Sequence, residues 1–225
     1  MASDVDICNL ALAHLGDVAT VSSLNPPSGE AQAAHCARFY PIARDALLEM
    51  HTWGFATVRI ALAYNATNPS SSWEYCYACP SDVVNYLEVQ DPLATDDYSV
   101  GVQMAGVGPY SAPVVGMGIY VPQDYVIESD IVTGQDLLLT NQKDAVLRYT
   151  RIVTDTTKFT PLFTLTLSHL LASMLAGPVL KGDAGREASK EQLALVKEMQ
   201  PAAEGSDANQ RRVKPAPGAQ WMTNR

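Results

Sequence analysis

One stretch of the sequence, residues 36–59, changes from a helical to a strand-like spacing of its apolar residues. In its first half the apolar residues stand three or four positions apart, which predicts one apolar stripe along a helix. These residues are Cys36, Tyr40, Ala43, Leu47 and Met50. Pro41 lies inside the pattern and predicts a kink, because proline removes a backbone donor and crowds the preceding turn. After His51 the spacing becomes two, which predicts a half-buried strand with Trp53 at the corner.

Two helices are predicted in the part of the chain before this corner. Ser3 followed by Asp6 resembles a capping box, and Gly16 is expected to end the helix that starts there. Ser28 is the candidate N-cap of a long helix over residues 29–50. Helices joined by a short connection are expected to pack as an antiparallel pair.

Two more helices are predicted towards the C-terminus. Thr160 followed by Pro161 marks the start of a strongly apolar helix over residues 162–180. Apolar residues cover most of its circumference, so this helix is expected to be buried on more than one side. Pro178 is expected to end or bend it, and a further helix is predicted over residues 183–200.

Strand and turn patterns dominate the region between the helices. Strands over residues 73–79 and 83–89, separated by a turn at residues 80–82, are predicted to form a hairpin. Further short strands are predicted at residues 119–121, 125–127, 131–133 and 145–153. This spacing is typical of a β-sandwich or a small barrel.

These patterns together predict an α+β fold, in which an antiparallel β domain is inserted into a bundle of about four helices. Residues 1–52 and 159–200 would form the bundle, and residues 53–158 would form the β domain. Within the β domain, residues 101–118 form a long loop that is expected to be mobile or to become ordered on contact with a partner. Residues 201–225 are predicted to form an extended C-terminal arm.

The predicted arm is poor in aliphatic residues, rich in proline and small residues, and locally basic. Such a segment is expected to be disordered when it is alone. A tryptophan and a methionine near its end are costly to leave in water, which favours an apolar anchor that binds another chain. The alternative is a frayed terminus without a partner. The candidate docking residues are Arg211, Arg212, Lys214, Trp221 and Met222.

The charge of the chain restricts its partners. A formal net charge of -9 argues against a wrapping contact with nucleic acid, which needs clustered Lys and Arg. An acidic wall that lets DNA slide past is still allowed. The sequence shows no charged leader followed by an apolar run and no uninterrupted apolar run long enough to span a membrane. We therefore expect a protein that is made in a cytoplasm and does not span a membrane.

The sequence contains no local motif for enzyme chemistry. Cys76 and Cys79 have CxxC spacing, but they lie in a strand-like run and are expected to face opposite sides of a strand. Cys8 and Cys36 are expected to be buried, inert thiols. A GxSxG elbow, an HExxH helix and a Walker loop are all missing from the sequence. We therefore expect no catalytic activity, no cofactor and no metal.

The residues around the corner also form a recognisable order. The residues of this helix-to-sheet motif are Tyr40, Pro41, Arg44, Asp45, Trp53 and Phe55. In this order, and in residues 7–12, the chain resembles the tail tubular protein A family, the head-to-tail adaptors of short-tailed bacteriophages. The resemblance covers most of the chain before the predicted arm. Thr52 departs from the family, which often carries a proline before the tryptophan.

The resemblance implies a structural adaptor that forms a homo-oligomeric ring, a dodecamer in the family, beneath the portal protein. The ring would carry the tail nozzle, tail tubular protein B, and keep a channel open through which double-stranded DNA passes without specific binding. The helices would build the ring wall, the arm would dock on the portal, and the β domain would face the nozzle or the tail fibres. The protein would be part of the virion, assembled in the host cytoplasm. Carboxylates on the channel wall would repel phosphate and keep DNA from sticking.

Two other classes of function are left open by the residues. One is a tail-associated hydrolase acting on peptidoglycan, whose catalytic groups are brought together in space without a local motif. The other is a small soluble binding module, which would stay monomeric or dimeric at high concentration.

Overall fold

The computed structural model describes residues 2–18, 20–92, 123–131 and 133–210. These described residues form four α-helices and antiparallel sheets, so the predicted α+β class is confirmed. The chain divides into a helical unit, Met1–Thr57 with Thr150–Gln210, and a β unit within Val58–Tyr149. The predicted loop over residues 101–118 and the predicted strand over residues 119–121 lie outside the described residues.

The first helix begins as its capping signal predicts. Helix α1 spans Asp4–His14, and the amide of Asp6 donates to the Ser3 hydroxyl at 3.1 Å. The amide of Ser3 in turn donates to the Asp6 carboxylate at 2.9 Å, which completes the capping box. Gly16 follows the helix with a φ of 73°, in the left-handed region that glycine adopts without strain.

The second helix begins later than predicted. Helix α2 spans Ala31–Met50, and Glu30 occupies its N-cap position without a capping hydrogen bond from its side chain. The prediction of Ser28 as the N-cap is therefore wrong. The Ser28 hydroxyl instead accepts a hydrogen bond from the amide of Ser22 at 3.4 Å, so it serves the preceding loop. Helix α2 passes through Pro41 as one continuous helix.

The third helix begins and ends as predicted. Helix α3 spans Pro161–Leu180, with proline in the first turn and the amide of Phe163 donating to the Thr160 hydroxyl at 3.2 Å. Pro178 lies inside the helix and does not end it. Lys181 separates α3 from the next helix with a φ of 57°. A short 3₁₀ helix, Thr156–Lys158, precedes α3.

The fourth helix contradicts the predicted start of the arm. Helix α4 spans Gly182–Ala208, so it continues through Pro201 and makes residues 201–208 helical. The prediction of an extended arm from residue 201 is wrong for this segment. Ala203 and Asp207 are buried on the extra turns, and their packing offsets the backbone hydrogen bond lost at the proline. The rest of the predicted arm, Arg211–Arg225, lies outside the described residues.

Helix α3 is the centre of the helical unit. It packs against α1, α2 and α4, and half of its residues are buried, on more than one side, as its all-round apolar surface predicts. By length and composition it is also the one helix of the described residues that could cross a membrane. Core helices of globular proteins meet the same criterion, so this match is weak evidence for a membrane span.

The β unit contains two sheets around a shared core. The strands are β1 Thr57–Ala61, β2 Ala63–Tyr64, β3 Tyr75–Ala78, β4 Val83–Gln90, β5 Tyr125–Ser129, β6 Asp136–Thr140 and β7 Val146–Arg151. One sheet has the order β1-β7-β4, and the other has the order β2-β3-β6-β5. A single core cluster combines Tyr77 and Leu138 of the second sheet with Val89 and Leu147 of the first. This arrangement is that of a sandwich, and the described strands form no closed barrel.

Two strand predictions are wrong. Strand β3 does not form a hairpin with β4: it pairs with β2 and β6, while β4 belongs to the other sheet. Strand β3 pairs with β6 because both faces of the pair are packed. Leu138 of β6 lies in the shared core with Tyr77, and Leu137 and Leu139 lie in a second cluster with Cys76. Residues 131 and 133, where a strand was predicted, lie in turns, and the missed strand β6 follows them.

Glycine at position 185 should be essential for the packing of α4 on α3. A Cβ there would lie 2.7 Å from the carbonyl oxygen of Ala176, a backbone atom that cannot move away. We expect Gly185→Ala to lower the free energy of unfolding by about 1–3 kcal/mol in urea denaturation. The matched control is Gly205→Ala in the same helix, where a Cβ meets nothing within 4 Å. This control should stabilise by about 0.5–1 kcal/mol, and equal effects of the two variants would refute the packing argument.

Candidate functional site

The residues of the helix-to-sheet motif fall into two groups in the helical unit. Tyr40, Pro41, Arg44 and Asp45 lie on α2, and Trp53 and Phe55 lie in the turn that follows it. The structure does not bring the six residues together in one cleft.

The group on α2 combines a buried tyrosine with an adjacent ion pair. The Tyr40 side chain is buried, and its hydroxyl has no hydrogen-bond partner within the described part of the chain. Burial raises the pKa of this hydroxyl above its ordinary value, an effect that the nearby Arg44 charge partly opposes. The Arg44 Nε donates to the Asp45 carboxylate at 2.8 Å. The ion pair of Arg44 and Asp45 is thus made within α2 itself.

The second group forms an aromatic corner. Trp53 is fully buried, and its indole N–H donates to the carbonyl oxygen of Leu47 at 2.9 Å. Its ring packs edge-on against Phe163, with 4.9 Å between ring centroids, and lies 5.9 Å from Phe55. Phe159 completes the cluster by contacting both phenylalanines. We call these four rings, Trp53, Phe55, Phe159 and Phe163, the aromatic corner; they join the end of α2 to the start of α3.

The buried carboxylate of Asp207 binds the backbone between Trp53 and Phe55. Sequence patterns did not identify this residue. The amide of Gly54 donates to both oxygens of Asp207, at 3.0 Å each. The Asp207 side chain is only 1% exposed, and His51 Nε2 lies 3.6 Å from one of its oxygens. The last turn of α4 is thus attached to the turn that contains Trp53.

The attachment needs both glycine and aspartate at their positions. A Cβ at residue 54 would lie 3.2 Å from the Asp207 carboxylate, which is tighter than most real contacts. A negative charge near the C-terminus of a helix opposes the helix dipole, so Asp207 on α4 needs the hydrogen bonds that it receives. No local signal reveals this pair, because an aspartate among poor helix formers is also typical of a loop.

A second buried polar group connects α1, α3 and α4. The rings of His14 and His169 are stacked, with 4.0 Å between their centroids. His14 Nε2 lies 3.0 Å from the Ser168 hydroxyl, and His169 Nδ1 donates to the side-chain oxygen of Gln192 at 2.7 Å. His14 is thus a hydrogen-bonded residue packed between α1 and α3.

The pair of Ser168 and His14 has the spacing of a nucleophile and its base, but the hydrogen bonds point the wrong way. The Ser168 hydroxyl donates its one proton to the carbonyl oxygen of Leu165 at 2.8 Å. While it donates there, it can only accept from His14 Nε2, and an imidazole that carries its proton on Nε2 cannot take another from the serine. Ser168 is also fully buried within α3. The arrangement stabilises the bundle and is unsuited to hydrolysis.

The cysteines are buried in different surroundings. The hydrogen bond with Cys36 and burial raise the pKa of the Cys8 thiol, which keeps it protonated. Cys76 and Cys79 pack in different core clusters, as the strand pattern predicts. Within residues 2–18, 20–92, 123–131 and 133–210, no three His, Cys, Asp or Glu side chains are grouped closely enough to hold a metal ion.

The candidate docking residues all lie outside the described residues; they are Arg211, Arg212, Lys214, Trp221 and Met222. No family model and no curated protein matches this sequence. The resemblance to tail tubular protein A therefore stays a prediction that depends on the corner residues themselves.

Removing the buried carboxylate should destabilise the helical unit. Asp207→Ala leaves the Gly54 amide without its acceptor, and we expect a loss of about 1–3 kcal/mol in the free energy of unfolding. Asp183→Ala is the matched control on the same helix, since Asp183 is exposed and pairs only with the exposed Arg186. The control should change stability far less. Equal losses in the two variants would refute a structural role for Asp207.

The stacked histidines should make stability depend on pH. Burial, and then the neighbouring His169, lower the pKa of His14 below its ordinary value of 6.5. The unfolded chain therefore binds a proton more readily than the folded protein does, so His14's contribution is present above pH 6.5 and is lost as the pH falls through the lowered pKa. The free energy of unfolding should fall less steeply over this interval in His14→Gln than in the wild type. Parallel curves would contradict the prediction.

Proposed function

We propose that this protein is a structural head-to-tail adaptor of a short-tailed bacteriophage. It would form a ring that joins the portal protein to the tail nozzle and leaves a channel open for DNA. The observation that carries the proposal is the motif over residues 40–59, whose order resembles tail tubular protein A and whose key side chains are used for packing. Trp53 and Phe55 hold helices together, as expected of a motif that preserves an architecture.

The surface of α2 supports assembly into an oligomer. Phe39, Ile42, Ala46 and Met50 are spaced three or four residues apart and therefore lie on one face of the helix. Ile42 is 54% exposed and Met50 is 49% exposed. Exposed large apolar side chains on one face of a helix favour an interface between subunits.

The overall charge supports the passage of DNA without binding. The net charge of -9 means that carboxylates outnumber basic groups on the chain as a whole. A ring of such subunits would repel phosphate at short range, so that DNA could move through it.

The direct test is to mix the purified protein with the portal protein of the same phage and to image the product by electron microscopy. The proposal predicts a ring of this protein seated on the portal, with twelve copies if the family's symmetry applies. Failure to bind the portal under conditions in which the portal itself is assembled would refute the proposal. Clearing of peptidoglycan on a zymogram would favour the hydrolase instead.

A second variant tests the predicted arm. Deleting Arg211–Arg225 removes all five candidate docking residues while leaving the buried Asp207 in place. We expect the shortened protein to unfold at the temperature of the full chain but to bind the portal at least about tenfold more weakly. Unchanged affinity would refute the role of the arm and leave the adaptor function standing.

A further inference from the structure

Four residues of α2 form a row along the side of the helix that faces solvent. They follow one another at intervals of four, three and four positions, which places them on one line along a helix. The four residues of this α2 row are Arg38, Ile42, Asp45 and Glu49. Ile42 is 54% exposed, and the Asp45 side chain is 40% exposed. The α2 row is thus basic at one end, apolar in the middle and acidic at the other end.

A second row with the same spacing lies on α4. The four residues of this α4 row are Arg186, Lys190, Leu193 and Lys197, and all of them are exposed. Leu193 is 41% exposed, so the α4 row also carries an accessible apolar side chain. Arg186 and Lys190 are like charges four residues apart, an arrangement that disfavours an isolated helix. The charges of the α4 row are therefore poorly placed to stabilise α4 itself and well placed to meet acidic groups of a partner.

The two rows are complementary when their helices run in opposite directions. Both rows have the same length, because each residue of a helix adds about 1.5 Å along its axis. In the antiparallel order the facing pairs are Ile42 with Leu193, Asp45 with Lys190, and Glu49 with Arg186. The fourth pair, Arg38 with Lys197, has like charges, but it lies at the exposed end of the row, where salt screens the repulsion.

Other pairings of these rows match less well. If the helices ran in the same direction, Ile42 would face Lys190 and Asp45 would face Leu193, so that each apolar side chain meets a charge. Two α4 rows repel each other, because the row contains no carboxylate. Two antiparallel α2 rows place Ile42 opposite Asp45. Both rows are exposed within one chain, so the best partner for the α2 row is the α4 row of another copy.

We infer that two copies of this chain associate through these rows, with α2 of one copy lying antiparallel on α4 of the other. Ile42 and Leu193 form the apolar centre of the contact, and the ion pairs beside them set its register. The net charge of -9 repels two copies at a distance, so association requires a surface with locally opposite charges such as this one. The inference goes beyond the adaptor function and does not depend on it, because the contact needs no portal.

Disulfide cross-linking tests which helices meet. All four natural cysteines are buried, so a cysteine introduced on either row provides the accessible thiol. With copper phenanthroline as the oxidant, a mixture of Ile42→Cys and Leu193→Cys should form the cross-linked dimer at least about tenfold faster than either variant alone. A mixture of Ile42→Cys and Val18→Cys is the matched control, because Val18 is 96% exposed and lies in the helical unit.

Three outcomes of this experiment overturn the inference. The first is an equal rate in the two mixtures. The second is faster cross-linking of Ile42→Cys or Leu193→Cys with itself, which assigns the contact to two α2 or two α4 helices. The third is a wild-type chain that sediments as a monomer even at about 1 mM, which assigns the rows to a different partner.

An exchange of charges tests the register. Glu49→Arg and Arg186→Glu each place like charges opposite each other, so each should weaken self-association in sedimentation at least about tenfold without lowering the unfolding temperature. The double variant restores opposite charges and should recover most of the affinity. A double variant as weak as the single variants overturns the inference. Neither experiment uses the portal, so failure of the adaptor function and failure of this inference are distinguishable.

Discussion

The apolar surface of α3 has to be covered on every side, and this requirement organises the helical unit. Phe163, Leu175 and Ala176 are fully buried although, at about 100° per residue, they lie on different sides of the helix. Helices α1, α2 and α4 pack around α3 and cover these residues. At Gly185 the backbone of α4 lies so close to α3 that there is no room for a side chain. The aromatic corner closes the start of α3, because Phe163 is the residue against which Trp53 packs. The conformation of the turn after α2 is therefore stabilised by packing against α3, a helix that comes much later in the sequence.

A helix that is apolar on all sides could be buried equally well at many rotations about its own axis. Other contacts must therefore select the observed rotation. Polar pairs between the helices do this. His14 contacts Ser168, His169 donates to Gln192, and the Ser189 hydroxyl donates to the carbonyl oxygen of Ser173. Turning α3 about its axis would leave these buried groups without partners, which costs more than the apolar contacts could recover. The histidine stack is thus better explained as a device that sets the register of the bundle than as a chemical site.

The sequence predicted those elements whose signals are local, and it failed where distant contacts decide. Ser3 and Thr160 cap their helices through residues three positions away, so their roles are readable from the chain alone. Pro201 is a valid local signal for the end of a helix, but the burial of Ala203 outweighs it. Strand β6 was missed because leucines buried on both faces lack the alternation that identifies a strand.

The contact between Gly54 and Asp207 joins residues that are 153 positions apart, so no local pattern could have revealed it. It bears on the proposed function as well, because Asp207 lies four residues before Arg211, the first of the candidate docking residues. The hydrogen bonds of Asp207 hold the last turn of α4 against the turn that contains Trp53. In the proposed adaptor, the buried carboxylate would thus support the helix that precedes the docking residues without touching the portal itself.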